Sequence, residues 1–252
     1  MTVFFQRLIN FIQCLKPDHL TLWPVWIILD SGYRLKIDSK ATLDLFVDIY
    51  SSQQYKTALD LLHQCDWVID LGANRGLFAV YVYHYLRKRG IYNDPKILCI
   101  EPAEQNYKVL LEHIGKNSLS KKIIPIQGVV TDKREGTIPF YYAARSHGLS
   151  TVVKNDRITS RRLQVIDLSK NLSFPRIDLL KVDIEGSEQA FLQEYPEILR
   201  KTNLLIAEFH LDLVDYSICR SILEEQGLIF SQRVFTFGDN LLIDIFQRSK
   251  EI

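Results

Sequence analysis

The sequence predicts an α/β fold, with a mostly parallel central sheet, helices on both faces and an antiparallel C-terminal finish. Three observations carry this. Short apolar runs at 66–71, 96–101, 123–129, 177–183 and 203–209 read as strands, and helix-length patterns at 76–90, 103–117, 186–200 and 215–226 alternate with them. Strands separated by helices pair in parallel through right-handed crossovers. The segment 230–246 holds two further strands, which supply the antiparallel finish. Gly90 and Gly227 stand where helices stop. Between the third and fourth strands the rhythm breaks. Asp132-Lys-Arg-Glu-Gly136 is a turn, Thr137 to Ala143 reads as a strand of a hairpin, and Arg145-Ser-His-Gly-Leu-Ser150 is a small-residue loop.

With 252 residues and 47% apolar content, the chain suits one large domain, 44–252, preceded by a helical extension over 1–43. In that extension Phe4, Phe5, Leu8, Ile9, Phe11, Ile12 and Leu15 recur at helical spacing, with Gln6, Arg7, Asn10 and Gln13 between them. The polar interruptions rule out a membrane span, and no basic leader with a cleavage site follows. Docking on the domain, or capping a substrate cleft, is the expected place of this helix. Peripheral membrane contact is the alternative, with Leu22-Trp-Pro-Val-Trp-Ile-Ile-Leu29 adding aromatics to it. A net charge of +1 with scattered basic clusters (Arg87-Lys-Arg89, Lys121-Lys122, Arg161-Arg162) argues against nucleic acid, which calls for a basic face. Cys14, Cys65, Cys99 and Cys219 show neither close pairing nor metal spacing, the usage of a reducing cytoplasm.

The chemistry concentrates at the strand ends. Trp67-Val-Ile-Asp-Leu-Gly-Ala-Asn-Arg-Gly76 is a strand that breaks into a glycine loop before the apolar-periodic segment Leu77 to Leu86. Glycines let a backbone approach a ligand, and the helix start presents free N–H groups. A dinucleotide fold would show Gly-x-Gly-x-x-Gly, but this loop reads Asp-x-Gly-x-Asn-x-Gly, so an NAD-dependent oxidoreductase fits it poorly. An acid before the first glycine suits a cofactor carrying a positive charge or an amine, and S-adenosylmethionine carries both. The next strand, Lys96-Ile-Leu-Cys-Ile-Glu101-Pro102, ends in a carboxylate 25 residues after Gly76. Such a carboxylate can accept both hydroxyls of a ribose, and Pro102 forces the chain to turn. In Ile177-Asp-Leu-Leu-Lys-Val-Asp-Ile-Glu-Gly186, the residues Lys181, Asp183 and Glu185 alternate and project to one face. Charges there fit the open carboxyl end of a parallel strand, and an exposed, salt-bridged edge strand is the plainer alternative. Leu204-Leu-Ile-Ala-Glu208-Phe-His210 ends in a carboxylate and an imidazole on a shared face.

These four motifs, Val68–Gly76, Ile100–Pro102, Leu179–Gly186 and Ala207–His210, together resemble the FkbM family of S-adenosylmethionine-dependent methyltransferases. Lys-x-Asp-x-Glu-Gly at 181–186 is the most specific of them, and Phe46-Val-Asp-Ile-Tyr-Ser-Ser-Gln-Gln-Tyr55 is similar to a segment that precedes the first strand in that family. The resemblance runs from about Asp44 to Phe246 and implies a Rossmann-like class I methyltransferase fold. It also implies methylation of a hydroxyl, often on a sugar or natural product. Arg75 departs from the pattern, which has an apolar or small residue between Asn74 and Gly76.

On this reading Asp70, Gly72, Ala73, Asn74 and Gly76 face the methionine end of the cofactor. Glu101 and Pro102 take the ribose, and Gln127, Gly128 and Val129 lie around the adenine. Asp183, Glu185, Glu208 and His210 line the acceptor side. His210 is the first choice of general base because its pKa lies near working pH, Asp183 the second, and Lys181 orients the Asp183 carboxylate. No residue is assigned to a metal. If Asp183 and Glu208 held a divalent ion such as magnesium, the metal would activate the hydroxyl. N-methylation of an amine or guanidine, and a catalytically silent cofactor-binding protein, are the competing functions. The acceptor is expected to be a small molecule or glycan, chosen by the loops in 130–168 and by residues 1–43.

Overall fold

The structure is a computed structural model that describes residues 24–51, 54–91, 94–142, 159–171 and 174–249. The apolar-periodic segment 4–15, Cys14 and the 145–150 loop lie outside the described residues. A seven-stranded sheet forms the centre, in the order β10-β11-β9-β8-β3-β4-β5. Its strands are β3 (Trp67–Leu71), β4 (Lys96–Glu101), β5 (Ile123–Gln127), β8 (Ile177–Val182), β9 (Thr202–His210), β10 (Leu228–Phe237) and β11 (Leu241–Arg248). The first five pair in parallel, while β11 runs antiparallel to both β9 and β10. The strand bounds fall within two residues of those expected from the apolar runs.

Central parallel strands are covered on both faces, which is why β3 and β8 read as apolar runs broken only at Asp70, Asp178 and Lys181. Val68, Ile97, Cys99, Leu179 and Ile206 pack one face against α1 (Lys40–Tyr50), α2 (Gln54–Asp60), α3 (Leu77–Lys88) and α4 (Glu104–Lys116). Ile69, Leu98, Ile100, Leu180 and Leu205 pack the other against α6 (Glu188–Glu194), α7 (Pro196–Lys201) and α8 (Tyr216–Glu225). The short α5 (Leu168–Asn171) joins the second layer, where Leu168 is buried. A two-stranded ribbon, β6 (Thr137–Tyr142) against β7 (Thr159–Gln164), stands beyond β5.

Helix ends follow their chemistry. Asp215 caps α8, its Oδ1 accepting from Ser217 N (2.9 Å) and Ile218 N (3.2 Å), and Ser39 caps α1 through Thr42 N at 3.2 Å. The single helix expected over 186–200 is two helices. Pro196 has no N–H to continue the ladder, so α6 stops at Glu194 and α7 starts at the proline.

The helical extension expected through residue 43 is also different. Residues 25–37 form a hairpin, β1 (Val25–Ile28) antiparallel to β2 (Arg34–Ile37), turning near Gly32 at φ +88°. The boundary placed at residue 43 falls inside α1, and Leu35 and Ile37 share one core with α3, so hairpin and sheet belong to one unit. The hairpin is stitched to the glycine loop. Asp38 forms an ion pair with the Arg75 guanidinium. The His113 ring on α4 donates from Nδ1 to Arg75 O (2.6 Å) and accepts at Nε2 from Lys36 N (2.8 Å). This accounts for Arg75, which turns away from the ligand side of the loop toward Asp38.

Candidate active site

The strand order reverses at β3, which neighbours β4 on one side and β8 on the other. Open α/β sheets bind ligands in the crevice outside the carboxyl ends at such a point. After Leu71 the chain turns at Gly72 (φ +74°), with the amides of Gly72 and Ala73 donating to Ile100 O at 3.0 and 2.9 Å. The end of β8 passes directly over it. A Cβ at position 72 would stand 1.7 Å from the carbonyl oxygen of Asp183, so only glycine fits.

The loop then reaches back to β4. Asn74, in the left-handed region at φ 49°, donates its N–H to Glu101 Oε2 (2.7 Å), and Ala103 N donates to Glu101 Oε1 (2.8 Å). Glu101 is 4% exposed. Burial pushes its pKa up to about 7, against the pull of those two N–H groups. Oε1 also accepts from Asn106 Nδ2 at 3.5 Å, while Oε2 accepts only from Asn74 N among the described residues.

These elements line an open cleft. Gly72, Asn74, Glu101, Pro102, Gly128, Val129, Phe140, Asp183 and Glu185 line it. Gly128 is forced by the approach of the ribbon, because a Cβ there would meet Ile166 Cγ1 at 2.5 Å and Gln164 O at 2.8 Å. Asn106 and Ser187 also line the cleft. Three buried polar atoms on these linings have no hydrogen-bond partner among the described residues: Asn74 Oδ1, Asn106 Oδ1 and Ser187 Oγ. Buried polar atoms are rarely left so, and their convergence on one cavity suits a polar ligand.

Not every residue singled out from the sequence reaches the cleft wall. Gln127 ends the edge strand β5 and turns to solvent, its Nε2 3.5 Å from Pro102 O. Asp70 is fully buried behind the wall, Ala73 is buried in the loop, and Gly76 packs against Leu110 at the start of α3. Lys181 is also behind the wall, where Nζ lies 3.3 Å from Asp70 Oδ1 and 3.1 Å from both Asp183 Oδ2 and Gly72 O. Burial alone would lower its pKa, but Asp183 and Asp70 outweigh that and keep the ammonium charged. Lys181 therefore ties the glycine loop to the cleft carboxylate Asp183. The Tyr55 ring on α2 lies 4.9 Å from that of Phe78, within the field of Lys181, Asp183 and Glu208.

The last group of charges surrounds His210. Its Nε2 lies 3.2 Å from Glu185 Oε2 and 3.8 Å from Glu208 Oε1, and its Nδ1 lies 3.1 Å from Glu188 Oε1. Burial acts to lower the imidazole pKa, but the contacts with Glu185 and Glu188 outweigh it and raise the pKa to about 11. These contacts favour the charged form of the ring, which is held among carboxylates from three elements. Burial raises the partners too, Glu185 to about 7 and Glu208 to about 8. Glu185 sits in the left-handed region at φ 54°, beyond the end of β8. Such strain in a non-glycine residue collects at functional sites. Among the described residues no group of three or more His, Cys, Asp or Glu side chains is arranged to hold a metal ion.

Asn106, Ser187 and Phe140 line the cleft and Glu188 contacts His210, and sequence reasoning assigned none of them a role. Glu188 carried one signal, an acid two residues past Gly186 in the first turn of a helix.

Comparison with known proteins agrees with this geometry. The chain is 27% identical over 193 residues to the methyltransferase sdnD of Sordaria araneosa, an alignment covering 62% of this chain and 71% of that protein. The crystal structure of methyltransferase FkbM from Methylobacillus flagellatus KT shares the fold, with a TM-score of 0.52 at 17% identity over 78% of this chain and 47% of that one. The methyltransferase FkbM domain profile matches residues 70–230, well over half of the sequence. The chain belongs to the FkbM family of S-adenosylmethionine-dependent methyltransferases.

Proposed function

We propose that this protein transfers a methyl group from S-adenosylmethionine to a hydroxyl of a small-molecule or glycan acceptor. One observation carries the reading. A single cleft is lined by Glu101, by Asn74 and Asn106 with their orphaned polar atoms, and by Asp183 and Glu185, with Glu185 in contact with the His210 ring. The residues fit the cofactor. The Glu101 carboxylate, with Oε2 holding one donor, suits a ribose hydroxyl, Gly72 leaves room at the methionine end, and Gly128, Val129 and Phe140 offer an apolar seat for the base. When bound, S-adenosylmethionine supplies an electrophilic methyl on a positively charged sulfur.

An acceptor hydroxyl has a high pKa and must lose its proton as the bond forms. Glu185 is the residue we assign to take it. It lines the cleft, its pKa is lifted to about 7, and a base poised near working pH is the most effective. The His210 ring, its charged form favoured, holds the carboxylates of Glu185 and Glu208 in place and offsets their charge. Lys181 does the same for Asp183. Positioning the hydroxyl against the methyl group supplies much of the remaining rate, roughly 7–11 kcal/mol in favourable systems.

The test uses methyl-labelled S-adenosylmethionine with a panel of hydroxylated sugars and natural-product alcohols beside matched amines and guanidines. Labelled methyl on oxygen, with S-adenosylhomocysteine released, is the expected result. Transfer to nitrogen would replace the O-methylation reading, and failure to bind S-adenosylhomocysteine would overturn the site assignment.

A further inference from the structure

Glu188 is fully buried at the first residue of α6, outside the cleft wall, and the chemistry proposed above does not use it. Its Oε1 gathers three contacts: Gly186 N at 3.1 Å, Ile184 N at 3.3 Å and His210 Nδ1 at 3.1 Å. Its Oε2 is buried with no partner among the described residues. A carboxylate enclosed and half satisfied in this way is expensive unless an opposite charge sits beside it. A helix start does not require it either, since Ser187 occupies the cap position and makes no capping bond. The two amides it pins flank Glu185, the residue held in the left-handed region.

We propose that Glu188 is a positioning residue for the acceptor side: one carboxylate oxygen fixes the 184–187 turn that presents Glu185 and clamps Nδ1 of His210, so that Nε2 faces Glu185 and Glu208. This inference rests on the reading of the cleft given above and deepens it. Nδ1 donates to Glu188, so the ring orientation is set from behind, away from the acceptor. The titratable groups in contact with the ring are Glu185 in the turn, Glu208 on β9 and Glu188; one step further out, Asp183 acts on Glu185 and Glu208, Lys181 acts on Glu208, and Cys219 on α8 lies in the field of Glu188. Glu188 is fully buried and contacts the ring at Nδ1, opposite the Nε2 that faces Glu185 and Glu208. Its charge biases His210 without reaching the substrate.

Glu188→Gln separates charge from shape, because the amide oxygen can still accept from Ile184 N, Gly186 N and His210 Nδ1. The full-length variant and the wild type are compared by nitrogen-15 NMR titration of His210, by S-adenosylhomocysteine calorimetry, and by kcat and KM across pH. In the variant the His210 midpoint is expected to fall by about 1–3 pH units, the size of effect one adjacent opposite charge exerts. Cofactor affinity should stay within about threefold while kcat drops at least about tenfold, with the alkaline position of the pH profile moved. An unchanged His210 midpoint together with unchanged kcat would overturn the proposal and leave Glu188 a turn-forming residue. If the variant does not fold, the wild type alone decides: titration of His210 near the ordinary 6.5 would overturn it. A midpoint that moves as expected in a protein that methylates no acceptor would sustain the positioning role and refute the proposed function.

Discussion

Glu101→Gln tests whether the buried carboxylate on β4 is kept for a ligand or for the fold, because the two roles predict opposite responses to pH. Burial lifts Glu101 from the ordinary 4.5 to about 7, roughly 2.5 units, or about 3 kcal/mol at 1.36 kcal/mol per unit. The folded chain therefore binds this proton more tightly than the unfolded chain. The group's favourable contribution is fully present below about pH 4.5 and is lost as pH rises through about 7. Glutamine has one acceptor oxygen, so one of the two amides, Asn74 N or Ala103 N, loses its partner at a cost of about 1–3 kcal/mol. At pH 5 the variant should be the less stable by that amount. At pH 8 it also escapes the burial of a charge, and should match or exceed the wild type. Binding of S-adenosylhomocysteine should weaken about tenfold to a hundredfold at pH 8, where a charge-assisted bond to the ribose contributes about 1.5–3 kcal/mol, and less at pH 5, where the wild-type carboxyl is already neutral. Urea unfolding at both pH values and calorimetric titration read these quantities. A stability loss equal at pH 5 and pH 8, with cofactor affinity at pH 8 within about twofold of wild type, would refute the reasoning and make Glu101 a pin for the glycine loop.

Glu185→Gln should lower kcat about 10²–10⁴-fold with little change in cofactor affinity, and should abolish the rise of kcat through about pH 7 that the wild type shows; retained turnover with an intact pH limb would move the base to Glu208 or Asp183. Gly72→Ala sets a methyl 1.7 Å from the Asp183 carbonyl, so backbone must move. We expect loss of S-adenosylhomocysteine binding and a thermal midpoint lowered by several degrees, and a variant that binds normally would show that the β3 and β8 ends are not in contact. His113 is buried as the neutral tautomer, and burial lowers its pKa below 6.5. Its folded state thus takes up fewer protons than its unfolded state, and the stability it lends is lost as pH falls below about 6.5. Hydrogen exchange of the Lys36 amide should accelerate at pH 5 relative to pH 7, after correction for intrinsic rates; equal protection at both would show that the His113 link does not hold the hairpin.

What could be read from the sequence was local. The glycine loop, Glu101 and the Lys181–Gly186 run each occupy one strand and the turn after it, so spacing alone brings their parts together. The charge state of His210 was not local. Its partners come from the 183–187 turn, α6 and β9, and no spacing reports that three carboxylates converge on one ring. The hairpin at 25–37 was missed because Val25-Trp-Ile-Ile28 is an unbroken apolar run, which periodicity cannot assign to helix or strand. The break at Pro196 was legible from the proline itself, but the apolar pattern on either side of it outweighed the signal. Gln127 shows the converse limit: strand alternation gives a face, but an edge strand leaves its last side chain free to take solvent.

The place of β11 bears on how the chain comes to be folded at all. It is formed by residues 241–248, yet it lies between β9 and β10, pairing with β9 from Leu241 opposite His210 to Gln247 opposite Leu204. A nascent chain that has emerged only as far as residue 240 holds the whole cofactor cleft, but its sheet stops at β9 with a long apolar edge uncovered. Such an edge recruits strands from other molecules. Until β11 is made the edge of β9 has no partner, and β11 closes that edge with eight residues that do not line the cleft.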